Sequence, residues 1–122
     1  MPDNSNVVIN LTTGHEDAEK VTIAFLVATA ALTKEKPVVM FLTKEAVRLA
    51  LPGYADAIEV AGSPPVSELF DEFERAAGEF YVCPISFEAR KLDSDGLVAN
   101  ARLAGATPLW DFMGDGATVF SY

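Results

Sequence analysis

The run Pro37-Val38-Val39-Met40-Phe41-Leu42 carries no polar residue among its apolar ones. A strand with one wet face alternates polar and apolar side chains. An unbroken apolar strand is therefore one covered on both faces, as in a parallel sheet held between helices. The rest of the chain fits that frame. Val7-Val8-Ile9-Asn10-Leu11 reads as a first strand, and the Thr13-x-x-Glu16 spacing fits a capping box opening a helix that runs to about residue 32–34. After Leu42, Thr43 can cap a short helix through Leu51, stopped by Pro52-Gly53. Ile58-Glu59-Val60 reads as a short third strand. Ser63, Pro64 and Pro65 then open a helix with Val66, Leu69, Phe70 and Phe73 at helical spacing, closed by Gly78.

Phe80-Tyr81-Val82 is the next strand, and it hands over at Cys83-Pro84 to another helix. The acidic loop 92–96 shares its start with a calcium loop but lacks the full acidic spacing and the terminal glutamate, so it reads as a turn. Residues 97–104 read as a short helix ended by Gly105. Thr107-Pro108 begins another, carrying Leu109, Trp110, Phe112 and Met113, and Gly114-Asp115-Gly116 turns the chain into a last strand over 118–122. Alternating strands and helices specify an α/β fold, a three-layer α/β/α sandwich around a mainly parallel sheet of about five strands. One domain spanning residues 1–122 is expected.

The first helix is apolar nearly all round. Val21, Phe25, Ala28 and Leu32 make one stripe, while Ile23, Leu26, Val27, Ala30 and Ala31 spread apolar surface over the rest. Such a helix is buried on more than one side, and in so small a domain the second side points to a subunit interface. A net charge of −9 argues against nucleic acid and against anionic membranes as partners. No apolar segment approaches the about 20 residues of a membrane span. The opening Met1-Pro2-Asp3-Asn4-Ser5-Asn6 is polar and acidic, unlike a signal peptide, and a single cysteine makes no internal disulfide. A cytoplasmic protein without a cofactor is expected.

In parallel sheets the chemistry gathers at the carboxyl ends of the strands. Three loops are candidates there: 12–17, 61–65 and Cys83-Pro84. Cys83 stands where a strand meets a helix start, where unpaired N–H groups and the helix dipole favour a thiolate. The plainer reading is a small, buried apolar residue. His15, beside Glu16 and Asp17, reads either as a proton shuttle or metal ligand or as an exposed loop residue. One histidine with local acids is a poor metal set, so no metal site is assigned. Ser86 and Arg90 follow Cys83 by three and seven residues. At a rise of ~1.5 Å per residue, Arg90 lies about two turns from the sulfur and suits an anchor to a carboxylate or a partner.

Thr12-Thr13-Gly14-His15-Glu16-Asp17, Val39 through Val47, Gly62-Ser63-Pro64-Pro65, and Val82-Cys83-Pro84-Ile85-Ser86 with Arg90 together resemble the DsrE/DsrF-like family of small sulfur-metabolism proteins. The resemblance implies a compact α/β/α subunit assembled as a trimer or hexamer. It implies for Cys83 the role of a persulfide carrier, taking sulfane sulfur and passing it to a partner protein in the manner of a sulfurtransferase. Thr13, Gly14, His15, Ser63, Pro64, Pro84, Ser86 and Arg90 are the candidate binding residues around it. Many relatives place a second cysteine where this chain has Ser86, which removes a local Cys-x-x-Cys cycle but leaves one-thiol transfer intact. The alternative is a non-catalytic oligomer that binds a small molecule or protein, with Cys83 a structural residue.

Overall fold

The computed structural model describes residues 6–122; the opening stretch read as unlike a signal peptide, apart from Asn6, lies outside the described residues. Five strands form one sheet: β1 (Val7–Leu11), β2 (Val38–Leu42), β3 (Glu79–Val82), β4 (Ala101–Leu103) and β5 (Thr118–Ser121), in the order β4-β3-β2-β1-β5. Every pairing is parallel. The unalternating β2 lies at the centre, as its composition demands. Among the described residues no helix is long and apolar enough to cross a membrane.

Helices α1 (Ala18–Thr33), α2 (Val66–Arg75), α3 (Pro84–Ala89) and α4 (Ala106–Met113) connect or follow these strands. From β1 to β4 the chain steps across the sheet in one direction, and from β4 to β5 it returns to the far edge. Right-handed crossovers then put the early helices on one face and α4 on the other. The packing follows suit. Ile9, Leu11, Met40, Leu42, Phe80 and Val82 join Phe25 of α1, Phe73 of α2 and Phe87 of α3 in the main core. Phe25, Phe73 and Phe80 meet there with ring centroids 4.8–6.0 Å apart. The opposite face is thinner: Val39, Tyr81 and Ala104 are buried under Leu109 and Phe112 of α4.

Several local expectations are corrected. The capping box does not form: Asp17 caps α1 by accepting the Lys20 N–H at 3.1 Å, and Glu16 accepts the Gly14 N–H instead. Residues 44–50 form a 3₁₀ helix (Lys44–Ala50) rather than an α-helix. Residues 58–60 are not a strand; Ile58 is buried as a packing residue, and β2 already has both its neighbours in β1 and β3. The missing strand is 101–103, read as helix from its Ala, Arg and Leu. Pairing with β3 overrides that propensity. Ser63 caps nothing, because Pro65 holds the N-cap position of α2 without any side-chain cap bond. Phe25 of α1 belongs to the chain's own core, while Ile23 and Leu26 are the exposed part of that apolar helix.

The end of α2 also differs in detail. Ala77, not Gly78, takes the left-handed conformation (φ 70°), and the Gly78 N–H closes the helix on the Phe73 carbonyl at 2.8 Å. Gly78 is required for a different reason: a Cβ there would sit 2.5 Å from the Phe73 ring. Two neighbouring substitutions should therefore act in opposite directions. Ala77→Gly relieves a left-handed residue and should stabilise by up to about 1 kcal/mol. Gly78→Ala should destabilise by about 1–3 kcal/mol through overpacking. Urea unfolding midpoints check the pair, and equal effects of both would contradict this account.

Candidate functional site

Register fixes the rim. Leu11, Leu42, Val82 and Leu103 lie side by side at the carboxyl ends of β1, β2, β3 and β4. One further backbone bond continues each ladder: Thr43 N–H to Leu11 at 3.1 Å, Cys83 N–H to Leu42 at 2.9 Å, and Ala104 N–H to Val82 at 3.0 Å. The loop bearing His15 and the segment bearing Cys83 therefore leave the same edge, with β2 between them. At ~4.8 Å per strand, their exit points are about 10 Å apart.

Cys83 is the N-cap residue of α3 (φ −61°, ψ 116°), and Pro84 fills the first helical position. Its carbonyl accepts the Phe87 N–H at 3.0 Å. The side chain is half-buried, resting on the main core with one side toward solvent. Ile85, two residues on, is 81 % exposed, an apolar side chain standing out from the first turn of α3.

Helix α3 is pinned to the segment after β2. Ser86 Oγ accepts the Lys44 N–H at 2.9 Å, with Lys44 in the left-handed region (φ 54°). Arg90 Nε donates to Glu45 Oε1 at 2.7 Å, and its Nη1 donates to the Ser86 carbonyl at 3.1 Å. Arg48 Nε reaches the other oxygen of the same carboxylate at 2.9 Å. Arg90, hydrogen-bonded to Glu45 and followed by Arg48, holds that carboxyl below its usual range against an opposing effect of burial. Arg90 is thus a carboxylate anchor, as its distance from the sulfur suggested.

On the far side of Glu45 an open depression of about 590 Å³ is lined by His15, Glu16, Glu45, Arg48 and Tyr54. His15 is exposed and lies flat on Tyr54, ring centroids 3.7 Å apart. Its Nε2 sits 2.8 Å from the Tyr54 carbonyl, which only accepts, so Nε2 carries the proton. The His15 backbone N–H donates to Tyr54 Oη at 2.8 Å. Burial pushes the Tyr54 phenol above its usual range, so it stays neutral. Gly14 fits because a Cβ there would overlap the Tyr54 hydroxyl. Thr13 Oγ1 is buried without a partner. Ser63 and Pro64 share no hydrogen bond with the Cys83 segment; the Ser63 N–H closes a turn on Val60 at 3.0 Å. Among the described residues no group of three or more His, Cys, Asp or Glu side chains is placed to hold a metal ion.

Glu45, Arg48 and Tyr54 were not singled out from sequence. The Glu45-x-x-Arg48 spacing is a helical pair that could have been noticed. The contact of Tyr54 with His15, 39 positions apart, has no sequence signal.

A family model described as DsrE/DsrF-like matches residues 5–122. The chain belongs to that family. This DsrE/DsrF-like chain is 29 % identical over 106 residues to the uncharacterized protein MJ0760 of Methanocaldococcus jannaschii, spanning 87 % of this chain but only 38 % of the relative's length. Among solved structures, the ychN protein from E. coli superposes with a TM-score of 0.76 at 14 % identity, over 96 % of this chain and 98 % of the other. The protein of unknown function MTH1491 from Methanobacterium thermoautotrophicum superposes with a TM-score of 0.62 at 14 % identity, over the same shares of 96 % and 98 %. At that identity the likeness is one of fold. Membership in the DsrE/DsrF-like family suggests a role related to sulfur metabolism.

Glu45 gives the site a pH dependence of definite sign. Its carboxyl is depressed in the folded state, so its stabilising contribution is complete above the unfolded value and disappears as pH falls through the folded one. The melting temperature of the native protein should exceed that of Glu45→Gln at neutral pH, and the gap should close below about pH 4. A gap that persists undiminished at about pH 3 would show that the carboxylate charge is not what holds α3 in place.

Proposed function

We propose that this chain carries sulfane sulfur as a persulfide on Cys83 and hands it to a partner protein. The observation that carries the reading is the position of Cys83: pinned by its own N–H to the central strand, only partly buried, and at the sheet edge where parallel α/β folds place their chemistry. The Cys83 thiolate attacks the outer sulfur of a donor persulfide. A new S–S bond forms on Cys83, the donor's S–S bond breaks, and the electron pair leaves with the donor thiolate. The acceptor thiolate then attacks the terminal sulfur on Cys83 and releases Cys83 as thiolate. Neither step consumes an oxidant or reductant.

The surroundings suit a one-thiol cycle. Ser86 stands where a second cysteine would complete a Cys-x-x-Cys pair, and its hydroxyl is committed to the Lys44 N–H. The exposed Ile85, in the first turn of the same helix, offers an apolar contact to an incoming protein. His15, Gly14 and Thr13 lie on the same rim but across β2, and of the three only His15 lines the neighbouring depression. In this reading the chain is a sulfurtransferase-like carrier, works in a reducing, cytoplasmic setting, and assembles as a homo-oligomer, a trimer or hexamer.

Mass spectrometry after incubation with a low-molecular-mass persulfide donor tests the proposal. The native protein should gain one sulfur, and Cys83→Ser should gain none. An unmodified native protein, or an adduct that survives in Cys83→Ser, would overturn it.

A further inference from the structure

Trp110 is the only tryptophan of the chain and is 69 % exposed on α4, a helix without a single buried residue. Indole rings are seldom left in water without use; they are enriched at the centres of protein interfaces. Exposed Asp111 is its neighbour, and exposed Asp115 follows in the turn after α4. On the other face of the sheet lies a groove of about 380 Å³ between α1 and the edge strand β5. Val27, Ala30, Ala31 and Phe120 give it apolar walls, and Lys34 and Lys36 stand at its end. Glu35 turns away to a separate depression beside Pro37. Phe120 is 39 % exposed, and all four residues of β5 are exposed.

We infer that Trp110 of one copy seats in the α1/β5 groove of the next, with Asp111 and Asp115 against Lys34 and Lys36. Two observations select a second copy as the occupant. The acidic flanks of the tryptophan match the two lysines of the groove, in a chain whose net charge of −9 makes a cationic surface scarce. The knob and the groove also lie in opposite layers, since Leu109 and Phe112 of α4 cover Tyr81 and Val39, while Phe120 shares the face of its register partner Ile9. A copy therefore cannot fill its own groove. The contact joins two different patches and repeats head to tail, which closes a ring when the rotation permits. It also shields β5, an otherwise open sheet edge. This inference rests on the homo-oligomeric part of the proposed function and gives it an interface.

The single tryptophan makes the test direct. Light scattering and tryptophan emission are followed together across a dilution series of the full chain. Assembly with blue-shifted, iodide-protected emission that turns red and quenchable on dissociation is the expected result. Trp110→Ala should raise the half-dissociation concentration about tenfold or more with the secondary structure unchanged, since the side chain is 69 % exposed and belongs to neither core cluster. Lys34→Glu with Lys36→Glu should weaken assembly, and adding Asp111→Lys with Asp115→Lys to the same chain should restore it. An oligomer whose Trp110 emission stays solvent-like at every concentration would overturn this interface and leave the oligomer standing. A monomer throughout would overturn both.

Discussion

The hydrogen bond from the Cys83 N–H to the Leu42 carbonyl, 2.9 Å long, is the contact on which the site depends. It is one rung past the end of β3, and it ties the cysteine to the most protected strand of the sheet. The residue before it is in β-structure and the residue after it is a proline fixed for a helix start, so the chain turns at the sulfur. Parallel register does the rest. Because Leu11, Leu42 and Val82 end level with one another, whatever follows β1 and β2 is delivered beside whatever follows β3. Cys83 and the His15 loop thus follow their strands directly.

Glu45 then makes a rigid corner of what would otherwise be a six-residue helix on a turn. It accepts from Arg90 at the far end of α3 and from Arg48 on its own segment, while Ser86 takes the Lys44 N–H. Both guanidiniums are partly screened by solvent, so each pair alone is a modest contribution. Their value lies in geometry: a shared carboxylate holds two segments in one relative position, with Glu45 and Arg48 also lining the His15–Tyr54 depression. Likeness of fold to proteins at 14 % identity says nothing of such a corner, which belongs to this sequence.

Much of this was legible in the chain. The apolar run of β2 announced a parallel, doubly covered sheet, and the Cys83-Pro84 step announced a strand-to-helix turn with the cysteine at its cap. The failures were equally physical. Residues 101–103 look helical because Ala, Arg and Leu favour helices, yet a vacant edge beside β3 was a stronger claim on them. Residues 58–60 look like a strand because Ile and Val flank a glutamate, but both sides of β2 were already taken. Capping residues were misjudged where prolines or a neighbouring aspartate took the position first, as with Ser63 and Thr13. Tyr54 was invisible because its role comes from a contact with His15 that only the folded chain creates.

Sulfur transfer on Cys83 requires that the folded protein present the thiol to solvent rather than seal it in. The rate of thiol alkylation by iodoacetamide, compared between native and urea-unfolded chain, tests that most directly. Native Cys83 should be modified completely and within about tenfold of the unfolded rate, as befits a half-buried side chain on the rim. A thiol that reacts only at the pace of global unfolding would make Cys83 a packing residue and contradict the account at its centre.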